Sequence, residues 1–211
     1  MKIKWFGHAC FLLNSGGVKV LTDPFDRSVG YEIPDVTVDL ITESHQHFDH
    51  NAHNLIRGRF ELIKDAGHEE FKGIKIDGIK AFHDEHSGRE RGSIIIFKFG
   101  FPEGLNVVHC GDLGHLLDES QKKALGQVDI LLIPVGGKFT IDAEKAKKVI
   151  DSLKPKVVIP MHYKTKYLAF DLAPVNDFLK LFSSYENVGK EWEVNAKTIE
   201  ALDRTVKVFN V

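Results

Sequence analysis

At 211 residues the chain is long enough for one sizeable core or two small domains, and with no Ser/Gly/Pro-rich linker we expect a single domain over 1–211. A formal net charge of −2, without a basic run or acidic tail, argues against dedicated nucleic-acid binding, and no apolar stretch approaches transmembrane length. Two cysteines, Cys10 and Cys110, and a strand-like start without a signal-peptide hydrophobic region fit a reduced, cytoplasmic protein.

In chain order, strand-like runs are predicted at 2–6, 9–14, 17–22 and 36–42, then a helix over 51–57. Strands follow at 74–83, 93–99 and 105–110, a helix at 118–125 and a strand at 128–133. A helix at 142–153, a strand at 156–161 and a helix at 174–184 complete the reading. In the 142–153 helix, Thr140 offers a cap, acidic residues fill the first turn and Lys154-Pro155 stops it. Hairpin-rich strands come first and strand–helix–strand units later, which suggests two sheets face to face with helices outside.

Residues 45–50 read His-Gln-His-Phe-Asp-His, three imidazoles and a carboxylate in six positions. On extended backbone His45 and His47 point the same way, and Asp49 and His50 follow where the chain turns. Imidazole nitrogen and carboxylate oxygen suit Zn²⁺ and similar borderline cations, so one metal can take the first pair and a second metal the other. A histidine-rich surface loop is the bland alternative. Against it, the β-branched run 36–42 delivers the cluster from a strand's carboxyl end, where ligands gather in α/β folds.

Three later strand ends add donors. The run 105–110 leads to Gly111-Asp112-Leu113-Gly114, whose glycines would let backbone and metal approach, although Asp beside Gly is also ordinary turn chemistry. The run 157–161 ends in His162. A third ligand for the first metal comes from His83 or His86; His83 is chosen because it sits nearest the predicted strand end.

Taken together these residues resemble the metallo-β-lactamase superfamily along essentially the whole chain. Gly7-His8-Ala9 and Leu21-Thr22-Asp23-Pro24 match its opening hairpins, and residues 45–50 match its signature. His83, Asp112 and His162 match the later ligand positions. Gly111-Asp112-Leu113-Gly114-His115 and Pro160-Met161-His162-Tyr163 are similar to the small prokaryotic branch related to L-ascorbate 6-phosphate lactonase. The resemblance implies an α/β fold, a four-layer αββα sandwich with the site at one edge between the sheets. It also implies a first metal on His45, His47 and His83, a second on Asp49, His50 and His162, and Asp112 as the bridge. The implied cofactors are two divalent ions, Zn first, with Mn or Fe as alternatives.

The departures narrow the function. Aspartate at 112, where β-lactamases proper often carry cysteine, disfavours antibiotic hydrolysis. The 49 residues between Asp112 and His162 are too few for the inserted cap domain of the nucleic-acid-cleaving branch. His47 stands where flavodoxin-linked di-iron proteins carry a carboxylate. The expectation is a hydrolase acting on an ester-type bond, lactone or phosphoester, of a small substrate that is anionic if the loop cations gather at the site, with Asp49 and Asp112 as catalytic groups; a metal-binding redox or sensor protein without turnover is the rival.

Around the ligands, the resemblance makes Asp23 a candidate partner for a metal-bound imidazole, with a strand-ending turn before Pro24 as the equal alternative; His8 either reaches the pocket or, the preferred reading, is a hydrogen-bonded, partly buried histidine. His115 and Tyr163 are candidate pocket groups, and His53 and His68 read as surface residues. Arg89, Arg91, Lys138 and Lys164 lie in loops after the candidate strand ends; loop cations are ordinarily just solvated, the preferred reading, and the alternative is that they gather to suit an anionic substrate.

Overall fold

The computed structural model describes residues 1–211. Its strands open with β1 (Lys2–Gly7), β2 (Cys10–Ser15), β3 (Val18–Thr22), β4 (Leu40–Thr42) and β5 (Glu61–Ile63). Next come β6 (Gly67–Phe71), β7 (Ile74–Phe82), β8 (Ser93–Gly100), β9 (Asn106–His109), helix α1 (Glu119–Leu125) and β10 (Ile130–Pro134). The last part holds α2 (Ala143–Leu153), β11 (Val157–Met161), α3 (Val175–Leu179), β12 (Tyr185–Asn187), β13 (Glu191–Glu193), α4 (Ala196–Glu200) and β14 (Thr205–Val208). Six strands form one sheet in the order β13-β1-β2-β3-β4-β5, and eight form the other, β12-β14-β11-β10-β9-β8-β7-β6.

Side-chain alternation explains why the sheets face each other. In β2, Phe11 and Leu13 enter a 44-residue core, while Cys10 and Leu12 belong to a smaller cluster. The same split recurs at Val20 against Leu21 in β3 and Leu40 against Ile41 in β4, so each strand of the first sheet feeds both faces. β10 behaves differently: Ile130 through Pro134 are all buried, as expected for a parallel strand paired on both sides and covered by helix. Each fully buried Leu or Phe in this core contributes about 1.5–3 kcal/mol.

The expected two-sheet α/β architecture is therefore what the chain adopts, with local differences. The helix expected over 51–57 is a 3₁₀ turn, His53–Leu55, because Ala52 offers no side-chain cap and Ile56 turns extended. The outer face of the first sheet is covered largely by such irregular chain. The strand expected over 36–42 pairs only at Leu40–Thr42; just before it the Asp39 N–H reaches the Lys19 carbonyl at 2.9 Å while an Asp39 carboxylate oxygen takes the Lys19 N–H at 2.9 Å. Asp142, not Thr140, caps α2 by accepting the Lys145 N–H at 2.9 Å, while Thr140 Oγ1 donates to the Ile141 carbonyl. The 174–184 helix shrinks to Val175–Leu179 because Pro174 supplies no cap acceptor and the chain re-enters a sheet at Tyr185. Strands β5, β6, β12, β13 and β14 and helix α4 carry too little apolar periodicity to announce themselves; β6 is mostly exposed edge. Cys10 and Cys110 are free and buried, and no helix is long and apolar enough to cross a membrane.

Candidate metal centre

Strand direction assembles the site. β1, β3 and β4 run the same way in the first sheet, as do β7, β9 and β11 in the second. Each of the six is followed within a few residues by a site side chain: His8 after β1, Asp23 after β3, and the 45–50 run after β4. His83 follows β7, Asp112 follows β9, and His162 follows β11. His8, Asp23 and His162 take left-handed backbone, with φ of 52°, 40° and 52°, a conformation that non-glycine residues adopt mainly where surrounding structure imposes it.

All seven residues expected from the sequence come together. His45, His47 and His83 form one group of donors, and Asp49, His50 and His162 lie in another that His8 joins; within each group the ligand atoms are within 4.8 Å of one another. Asp112 stands between them. Its Oδ2 lies 3.2 Å from both His83 Nε2 and His162 Nε2, and its Oδ1 lies 3.2 Å from His50 Nε2. His86 points away, 63% exposed and 3.4 Å from Glu90.

The donor set fits divalent cations. His50 Nε2 and Asp112 Oδ1 are buried without a hydrogen-bond partner, an arrangement that proteins avoid unless something else satisfies the atoms. Burial, reinforced by His50, drives the His45 imidazole down to about 3; burial and His162 drive His8 down to about 4. Both are neutral donors at neutral pH, the form a metal requires. At His50 burial also opposes charge, but Asp112 and Asp49 outweigh it and push the imidazole well up. Burial opposes ionisation of Asp112 as well, yet His162 and His50 hold it well below the usual range. The two carboxylates thus demand positive charge at this point, from a proton on His50 or from a cation.

Outside the donors, Asp23 organises the shell. Its Oδ1 accepts the Ser44 N–H at 2.7 Å, and its Oδ2 accepts Ser44 Oγ at 2.6 Å and His50 Nδ1–H at 2.8 Å. Ser44 Oγ in turn lies 3.0 Å from His45 Nδ1, so one buried carboxylate sets the ring orientation of two candidate ligands. His8, fully buried rather than partly so, donates Nε2–H to Asp49 Oδ2 at 3.1 Å and packs on the His162 ring with centroids 4.1 Å apart. Gly111 and Gly114 make room for protein rather than metal. A Cβ on Gly111 would stand 2.6 Å from Ser44 Cβ, and one on Gly114 would stand 2.2 Å from the His83 carbonyl carbon.

Several expectations end elsewhere. His115 accepts the Phe82 N–H at 3.1 Å and Tyr163 packs on Trp5, so both support structure. His68 is exposed, but His53 Nδ1–H reaches the fully buried Glu43 at 2.6 Å. Glu43 also accepts Gln46 Nε2 at 3.2 Å and so braces the 45–50 loop, a role its sequence neighbourhood did not reveal. Lys164 turns inward and donates to the carbonyls of Leu168 and Phe170 at 2.8 and 2.6 Å. Arg91 does reach the site. A cavity of about 350 Å³ is bounded by His47, Asp49, His83 and Asp112 together with Phe48, Phe139, Phe170 and Arg91. The three phenyl rings come from separate loops, so no sequence pattern links them.

Residues 2–162 match the family described as the β-lactamase superfamily domain, and the chain belongs to the metallo-β-lactamase superfamily. Within it the chain falls among the UPF0173 metal-dependent hydrolases. It is 35% identical over 198 residues to such a protein from Thermoplasma acidophilum, covering 82% of this chain and 85% of that one. A UPF0173 protein from Pyrococcus abyssi is 33% identical, covering 78% of this chain and 84% of its own. Among solved structures, a candidate zinc-dependent hydrolase of the superfamily from Thermotoga maritima is 48% identical, with a TM-score of 0.83 over 99% of this chain and 97% of that one.

Proposed function

We propose that this metal-dependent hydrolase cleaves an ester-type bond, a lactone or phosphoester, in a small substrate at a dinuclear centre. His45, His47 and His83 would hold the first ion; Asp49, His50 and His162 would hold the second; Asp112 would span both. The observation that carries this reading is the Asp112 carboxylate, with one oxygen facing His83 and His162 and the other facing His50. Imidazole and carboxylate donors suit zinc, with manganese or iron as alternatives. When bound, such ions polarise a substrate oxygen and lower the pKa of a shared water to about 7.

The chain's own groups do the rest. Asp49 holds its carboxyl well below the usual range: burial opposes this, but His50 and the His8 hydrogen bond prevail. Asp49 lines the cavity with Oδ2 held by His8, so its carboxylate would orient an incoming water by accepting its hydrogen bond. The His8 contact thereby restrains the Asp49 carboxylate at the cavity wall. Asp23, through Ser44 and His50, keeps the rings from rotating as charge develops.

The test is turnover by protein loaded with zinc, manganese or iron, on a panel of lactones and a panel of phosphodiesters. We expect one panel to respond and His47→Ala or Asp49→Ala to lower kcat at least 100-fold, in line with loss of a central catalytic group. Turnover unaffected by both substitutions would contradict the reading.

A further inference from the structure

The cavity holds one cation, and its surroundings fix it in place. Arg91 ends a loop that Asp84 knots from within: Asp84 Oδ1 accepts the N–H groups of His86 and Gly88 at 2.8 and 2.9 Å, and Oδ2 accepts those of Glu90 and Arg91 at 3.1 and 2.8 Å. The Arg91 guanidinium carbon lies 5.7 Å from the centroid of the Phe139 ring. Its one carboxylate neighbour within 4 Å is the adjacent Glu90, at 3.6 Å and half-exposed, a pairing that water and salt weaken. Arg91 lines the cavity, and neither Asp49 nor Asp112 pairs with its guanidinium.

The apolar side is equally specific. Phe48 is 51% exposed at its place between two candidate ligands, and its ring meets Phe170 edge to face at 6.0 Å. Phe170 is held by the Lys164 ammonium on its carbonyl and lies against His8 at 5.6 Å. A phenyl left half-exposed beside metal donors still has area to bury, and against a planar ligand it gains that area and favourable ring geometry. Lys138 adds a second cation on the Phe139 ring at 5.5 Å, with no carboxylate within 4 Å.

Resting on the hydrolase reading above, we propose that the substrate carries a second, non-reacting oxyanion on a compact aromatic body. Arg91 grips that oxyanion beside Phe139, while the joined rings of Phe48 and Phe170 offer the aromatic body an apolar wall to pack against. Arginine suits this because its planar fork meets carboxylate or phosphate with paired hydrogen bonds and also stacks on rings. The knot around Asp84 sets the loop before binding, so less ordering is required on association.

The experiment measures affinities for the metal-loaded protein by titration calorimetry, with benzoate as the one-anion probe. Terephthalate, isophthalate and 4-phosphonobenzoate add a second anion as carboxylate or phosphonate, and cyclohexane-1,4-dicarboxylate removes the aromatic ring. We expect at least one aromatic dianion to bind about tenfold tighter than benzoate, the scale of one charge-assisted contact. Arg91→Ala should erase that gain while changing benzoate affinity less than about threefold, and Arg91→Lys should keep part of it. Whether the carboxylate or the phosphonate gains more identifies the oxyanion. The cyclohexane analogue should bind several-fold weaker than terephthalate, a difference that Phe170→Ala removes. Equal affinity for one and two anions, no binding of any dianion, or a gain that survives Arg91→Ala would overturn the inference. If metal-dependent turnover is seen on either substrate panel, the hydrolase reading stands regardless; its absence on both defeats that reading instead.

Discussion

Asp23 Oδ2 lies 2.8 Å from His50 Nδ1, with both side chains wholly buried, and the same carboxylate reaches His45 through the Ser44 hydroxyl. One residue on the first sheet therefore fixes a candidate ligand in each metal group. Asp23→Asn presents an N–H group to Ser44 Oγ or His50 Nδ1–H, where an acceptor is needed. We expect metal affinity to fall by about 10–100-fold, read by competition with a chelator. Affinity equal to that of the unaltered protein would show that the rings hold their orientation without it.

Gly114 lets the loop after β9 lie against the His83–Asp84 peptide. A Cβ there would stand 2.2 Å from one backbone atom and 2.3 Å from another, with no flexible side chain to yield. Gly114→Ala should cost about 1–3 kcal/mol or more, seen as a lower urea midpoint at unchanged slope. A midpoint within error of the parent would mean that the loops separate without penalty.

Asp39 links the two sheets: its carboxylate takes the Lys72 ammonium of the β6–β7 turn and the Lys19 N–H of β3. Lys72 first, then the Lys19 N–H, hold its pKa below the ordinary 3.8. A depressed carboxylate stabilises the fold above its unfolded pKa, and that contribution is lost as pH falls through the folded value. Asp39→Asn should therefore narrow the stability difference from the parent as pH drops below about 3.8, the ordinary aspartate value. Denaturant midpoints measured from pH 6 to pH 2 check this, and a constant offset across the range would refute it.

Lys164 holds the segment carrying Phe170 through two carbonyls. Lys164→Met keeps the stem but removes both bonds, each a charge-assisted interaction. Amide exchange over residues 165–172 should accelerate about tenfold or more, with the strands of the core unchanged. Uniform exchange rates would assign the loop's order to its apolar contacts instead.

The ligand run was legible because it is contiguous: His45 to His50 need only one strand end and one turn. Asp112, His162 and His83 were legible as polar residues after apolar strands, and their convergence followed from the resemblance. His8 stays ambiguous in the sequence because a single histidine in a hairpin turn looks the same whether it faces solvent or the site; the parallel direction of β1 and β3 decides it. Lys164 shows the converse. A lysine in a loop gives no sign that its ammonium will turn inward onto two carbonyls. The clustering of Phe48, Phe139 and Phe170 depends on three loops meeting, and no local period records that. The 3₁₀ turn at His53–Leu55 replaced a helix because helix-forming residues without a capping side chain do not sustain one over so few positions.

Elemental analysis of metal content decides whether the seven donors form a centre for two ions. The unaltered protein, saturated and then freed of excess metal, should carry two ions per chain, His47→Ala about one, and Asp112→Ala fewer than two. A full complement of one ion, or two ions undisturbed by both substitutions, would contradict the account.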